Sequence, residues 1–151
     1  TILPPDYLDV VSPEDEEEGR NNMVEGTPHT RIMVVDDMKT NLEVMRSILD
    51  NIYDLTLCKS GYQAIQYMKK NPFPDLIIMD VDMPEMTGIE ATVKINEITG
   101  GTIPVLFVTA ICDAQTVITC RELHAAGYIV RPYKPVYIKA EIERILSGWR
   151  H

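Results

Sequence analysis

Basic residues are in short supply in this chain. Fourteen lysines and arginines stand against 23 aspartates and glutamates, a net charge of -9. No basic stripe runs along any segment, which argues against direct nucleic-acid binding. No apolar run is long enough to span a membrane, and the acidic N-terminus is the opposite of a signal peptide. A cytoplasmic setting is expected, with no membrane partner. Cysteine is scarce too. Cys58, Cys112 and Cys120 form an odd set without CxxC or metal-ligand spacing, so they read as free, partly buried thiols in a reducing compartment. His29, His124 and His151 show no partner pattern, and surface roles are expected for them.

What is present suffices for one domain. The chain has 151 residues, 45% of them hydrophobic, enough for a real core. Charge is unevenly spread. Residues 1–30 hold eight acids, including the run Glu14-Asp15-Glu16-Glu17-Glu18, against Arg20 alone. With Pro4, Pro5, Pro13 and Pro28 this composition predicts an extended acidic tail or linker over 1–30. Ile2, Leu3, Tyr7, Leu8, Val10 and Val11 could still dock as a short arm. The chain opens on Thr1, and both a complete protein and an excised segment stay open as readings.

From Arg31 onward, strand and helix patterns alternate. Strands are expected at 31–35, 54–58, 75–79, 104–108 and 128–131, three of them near-continuous apolar runs. Such runs suit parallel strands covered on both faces. Met38, Leu42, Met45 and Leu49 share one helix face, as do Ile138, Ile142, Ile145 and Trp149. Helices are also expected at 61–70, 87–98 and 114–126, and Thr87 with Glu90 makes a capping box. Five β/α units with short connections predict a doubly wound parallel sheet with right-handed crossovers. Its site belongs outside the carboxyl ends of the strands, near the topological switch.

Polar residues collect at that edge. Ile32-Met33-Val34-Val35 runs into Asp36-Asp37, and Leu76-Ile77-Ile78-Met79 into Asp80. Val105-Leu106-Phe107-Val108 ends at Thr109, and the last strand leads to Lys134-Pro135. Singly, each acid would more often be a helix cap, Thr109 a strand residue and Lys134 a solvated side chain. Together they suggest chemistry. Three crowded carboxylates without His or Cys invite a hard cation, Mg²⁺ or Mn²⁺. Lys134 could neutralise phosphoryl oxygens, and the Thr109 hydroxyl could donate to one of them. A carboxylate can also be the nucleophile of an aspartyl-phosphate. Asp80, alone on the central strand, is the best candidate.

Residues 31–148 resemble the CheY-like receiver domain of two-component response regulators. The resemblance rests on Val34-Val35-Asp36-Asp37, on Ile77-Ile78-Met79-Asp80-Val81-Asp82-Met83-Pro84-Glu85-Met86-Thr87-Gly88, on Val108-Thr109-Ala110 and on Tyr133-Lys134-Pro135. It implies a flavodoxin-like (βα)5 domain, strand order 2-1-3-4-5, filling 31–151 behind the acidic extension. It implies phosphoryl transfer from a histidine kinase or phosphotransfer protein onto Asp80. The chain would then be no enzyme beyond its own phosphorylation and dephosphorylation. Asp37 and Asp80 would bind Mg²⁺ through carboxylates, Asp36 through water, and Asp82 through its backbone carbonyl. Thr109 and Lys134 would sense the phosphoryl group. They would shift the face of the fourth helix, fifth strand and fifth helix towards an output domain, a protein partner or a second copy in a homodimer.

Three departures from the family pattern stand out. The family usually has an aromatic residue three positions before the lysine, where this chain has Arg131. The stretch from Thr109 to Gly127 reads about three residues too long, implying a non-standard partner surface. Asp82 carries an acid that could tune metal affinity or dephosphorylation, or be a solvated loop residue. Two other functions compete. Asp80-Val81-Asp82 also resembles the first motif of haloacid-dehalogenase-like phosphatases, although no acidic pair follows Lys134. A degenerate receiver would bind partners without phosphorylation. The stretch after Pro135 is taken up by a helix, so output is expected from elsewhere.

Overall fold

The computed structural model describes residues 30–148. The expected acidic tail, apart from Thr30, and Trp149 therefore lie outside the described residues. The elements, in order, are β1 (Arg31–Val35), α1 (Lys39–Leu49), β2 (Asp54–Cys58), α2 (Gly61–Lys70) and β3 (Leu76–Met79). There follow α3 (Gly88–Thr99), β4 (Val105–Thr109), α4 (Ala114–Glu122), β5 (Gly127–Val130) and α5 (Pro135–Gly148). All five strands pair in parallel in the order β2-β1-β3-β4-β5, as expected.

The side-chain period of two divides each buried strand between two apolar layers. Ile32, Val34, Leu76, Ile78, Leu106 and Val108 pack with Leu42, Met45 and Leu49 of α1 and Ile138, Ile142 and Ile145 of α5. Met33, Val35, Ile77, Met79, Val105 and Phe107 pack on the other face with Ala64, Ile65 and Met68 of α2 and Ala91 and Ile95 of α3. Both faces are covered, so β1, β3 and β4 carry apolar side chains at successive positions. Cys58 and Cys120 are buried, Cys112 is exposed, and all three thiols are free.

Local signals set the helix starts. Ser60 accepts a bond from the Gln63 amide at the head of α2. Thr87 and Glu90 form the expected capping box on α3, and Asp113 caps α4. The exit of α3 uses Gly100 in the left-handed region at φ 72°. β3, β4 and α3 differ from expectation by one residue at their bounds, and two further elements differ as well. The fourth helix stops at Glu122 rather than 126, and His124 adopts φ 62° just beyond it. Only Cys120 is buried on α4, so its sequence carried little periodicity to mark the end. The last strand stops at Val130, leaving Arg131 in the loop. Among the described residues no helix is long and apolar enough to cross a membrane.

Candidate functional site

The sheet changes winding direction between β1 and β3, which lie side by side with Val35 opposite Met79. Each strand delivers an aspartate one residue past its end, so Asp36 and Asp80 emerge together. The Asp80 amide donates to the Val35 carbonyl at 3.0 Å, and the Asp36 amide to that of Cys58 at 3.0 Å. Backbone bonds thus fix both acids to neighbouring strands. One carboxylate oxygen from each of Asp36, Asp37 and Asp80 lies within 4.8 Å of the others. Such a set of hard oxygen donors fits Mg²⁺ or Mn²⁺ in kind.

Asp36 and Asp80 are almost fully buried, while Asp37 is half-buried. Burial pushes the Asp80 carboxyl above the ordinary carboxylate range, opposed by the Thr109 hydroxyl and by the charge of Arg131. Asp36 is likewise raised by burial, against the Met38 amide, and further by the charge of Asp80. Its Oδ1 accepts from the Met38 amide at 2.9 Å and from Asn41 Nδ2 at 3.3 Å. The Asp82 amide donates to Asp80 Oδ1 at 3.3 Å, while the Asp82 side chain is exposed.

The loop from Asp80 to Gly88 is folded tightly back onto the acid. The Gly88 amide donates to the Val81 carbonyl at 2.8 Å. A Cβ on Gly88 would lie 1.9 Å from the Asp80 carbonyl oxygen, so no larger residue fits without movement. Thr109, fully buried at the end of β4, stands close enough to Asp80 to draw its carboxyl down, and its Oγ1 accepts from the Ile111 amide at 3.3 Å. The Ile111 carbonyl accepts from the Tyr128 hydroxyl at 2.6 Å. Burial pushes that phenol up to about 12. A path of close contacts therefore runs from Asp80 through Thr109 and the 109–111 loop to Tyr128.

The expected cation is not the one found there. Lys134 is exposed and forms no ion pair with any described acid. Arg131 takes the place beside the carboxylates. Its Nη2 lies 2.5 Å from Asp36 Oδ2 and its Nη1 3.7 Å from Asp80 Oδ1. The reason is register. β5 ends at Val130 with Thr109 opposite, so Arg131 stands one residue past its strand, as Asp36 and Asp80 do. Lys134 follows three residues later, at the start of α5.

The shift removes one of the apparent departures. Tyr128 stands three residues before Arg131, which restores an aromatic residue at the spacing expected before the site's cation. A signal for this was legible: Arg131-Pro132 repeats the cation-proline pair of Lys134-Pro135 directly after the apolar strand.

Comparison with known proteins agrees with this fold. A sequence profile described as response regulator receiver domain matches residues 32–143. The chain is 32% identical over 117 residues to the transcriptional regulatory protein ZraR of Escherichia coli K12, covering 77% of this chain and 26% of that protein. It is 43% identical over 68 residues to the signal transduction histidine-protein kinase BarA of the same organism, covering 44% of this chain and 7% of BarA. The chain thus spans about a quarter or less of the length of these two relatives. A CheY-like receiver domain protein from Methanospirillum hungatei superposes with a TM-score of 0.74 at 23% identity, over 80% of this chain and 95% of that one. Chemotaxis protein CheY4 of Vibrio cholerae superposes with a TM-score of 0.73 at 25% identity, over 78% and 99%.

Proposed function

The chain belongs to the response regulator receiver domain family, and on that premise we propose that Asp80 is a phosphoryl acceptor. The donor is the phosphohistidine of a histidine kinase or phosphotransfer protein. An Asp80 carboxylate oxygen forms the new P–O bond as the P–N bond to histidine breaks, and the imidazole leaves with the electron pair. One observation carries the reading: the Thr109 hydroxyl and the Arg131 guanidinium converge on a single buried carboxylate at the mouth of the sheet.

Asp36, Asp37 and Asp80, with the Asp82 backbone carbonyl, would hold Mg²⁺ or Mn²⁺. When bound, the cation offsets the negative charge that gathers on the phosphoryl oxygens. The remaining tasks fall to the chain itself. The Asp82 amide, bonded to Asp80 Oδ1, orients the carboxylate. Thr109 is placed to donate to a phosphoryl oxygen, and Arg131 to fork onto two of them. Moving Thr109 would pull on the Ile111 amide and so on Tyr128, carrying the event to β5 and the faces of α4 and α5. There an output domain or protein partner would read it.

The Arg131–Asp36 pair favours one second reading, a receiver that binds partners without being modified. Incubation with acetyl phosphate and Mg²⁺, followed by peptide mass mapping, separates the two. Modification at Asp80, absent in Asp80→Asn, is the expected result. An unmodified chain would refute the acceptor reading, and repeated turnover of a phosphate ester would point to a phosphatase instead.

A further inference from the structure

Asp36 already has its partners. Its Oδ1 holds the Met38 amide and Asn41, its Oδ2 holds Arg131 at 2.5 Å, and the residue is 2% exposed. A cation approaching the three acids therefore meets a guanidinium on one of them. Two positive groups this close repel, and Arg131 already occupies Asp36 Oδ2. The Arg131 backbone is pinned, since its amide donates to the Thr109 carbonyl at 2.8 Å. The side chain is one-fifth exposed. Nη1 already lies 3.7 Å from Asp80 Oδ1.

Resting on the acceptor reading above, we propose that Arg131 is a resident counter-ion of Asp36 which a divalent cation must displace. The Arg131–Asp36 ion pair and the bound metal exclude each other, and the released fork turns to Asp80. In the metal-free protein the arginine offsets part of the acidic charge. Once a cation takes over that role, the guanidinium is freed for a planar, two-oxygen partner such as a phosphoryl group. The arginine thereby couples metal loading to readiness for the phosphoryl group. The cost is a weaker metal site than three acids alone would make.

The test is Mn²⁺ affinity, read from the free-ion electron paramagnetic resonance signal. Four proteins are compared: wild type, Arg131→Met, Asp36→Asn and the double variant. Arg131→Met should bind Mn²⁺ about tenfold tighter than wild type, by release of a neighbouring positive charge. In the Asp36→Asn background the same substitution should change affinity less than about twofold, because the competition runs through Asp36. Unchanged or weaker binding in Arg131→Met overturns the proposal, and so does equal tightening in both backgrounds, which is plain charge repulsion. Saturable Mn²⁺ binding in wild type with no Arg131 effect would sink this inference alone. No Mn²⁺ binding in any variant would sink the metal reading as well. A measurement on the unaltered protein guards against misfolded variants: the Arg131 Nε–H resonance should move on Mg²⁺ saturation, and a static resonance counts against displacement.

Discussion

Replacing Gly88 by alanine tests the geometry that holds Asp80 in place. The added Cβ would sit 1.9 Å from the Asp80 carbonyl oxygen, 2.8 Å from its carbon and 2.9 Å from Met79 Cγ. Met79 Cγ can turn aside, but the Asp80 carbonyl is backbone and pinned through the bond from its own amide to Val35. Reaching ordinary contact requires the start of α3 to retreat by more than about 1 Å, in an interior packed at crystal-like density. Overpacking of this kind costs about 1–3 kcal/mol, and loss of the Gly88–Val81 hydrogen bond about 1 more. Helix propensity returns little, since Gly88 is only the first residue of α3. The net is a loss of about 2–4 kcal/mol, which lowers a urea midpoint by about 1–2 M.

The control is Gly100→Ala. That site has nothing within 4 Å of an added Cβ, so its cost is purely conformational, arising from φ 72°. Forcing an alanine into the left-handed region costs about 1–2 kcal/mol. Gly88→Ala should be the more damaging of the two in urea titrations followed by circular dichroism. It should also weaken binding of beryllofluoride, whereas Gly100→Ala should not. If Gly88→Ala unfolds within about 0.3 M urea of wild type, the close approach of α3 to Asp80 is wrong.

Three further outcomes follow from the site. Burial raises the Asp80 and Asp36 carboxyls, so the folded protein holds those protons more tightly than the unfolded chain. Stability should therefore fall as pH rises from the ordinary carboxylate value of 3.8 through the raised folded value. Asp80→Asn, melted in EDTA, should gain over wild type at pH 7 and gain less at pH 4; a lower melting temperature at pH 7 would contradict this. Tyr128→Phe removes the hydroxyl that donates to the Ile111 carbonyl, at a cost of about 1 kcal/mol. Amide shifts should spread over 109–113, and a spectrum unchanged there would break the path from Thr109. Lys134→Ala should leave beryllofluoride affinity within about twofold of wild type, since the exposed ammonium pairs with no described acid. A tenfold loss would return Lys134 to the site.

The fold was legible because both of its layers are written at a period of two inside β1, β3 and β4. A fully buried strand shows no alternation of polarity, yet a run such as Leu76-Ile77-Ile78-Met79 flanked by Asp75 and Asp80 has the length of a strand and not of a helix. Helix starts were legible where a side chain makes the cap, as at Thr87. Helix ends were not legible where the terminus depends on backbone alone. His124 at φ 62° closes α4 without the glycine that would have announced it, and α4 buries too little to show a stripe.

The site divides along the same physical line. Asp36, Asp37, Asp80 and Thr109 could be placed because each stands directly after the run of apolar residues that marks a strand. The cation could not, because β5 is an edge strand on which only Ile129 is buried. Val130 is exposed and Gly127 has no side chain, so the hydrophobic run does not say where the strand stops. With the end of β5 uncertain by one residue, two cation-proline pairs compete, and the resemblance favours the lysine. Parallel register decides between them, since Thr109 stands opposite Val130 and places the next residue beside Asp80. That residue is an arginine, whose planar fork spans two carboxylates as a lysine ammonium cannot. One residue of strand register thus changes the site from three acids awaiting a cation to three acids that already hold one.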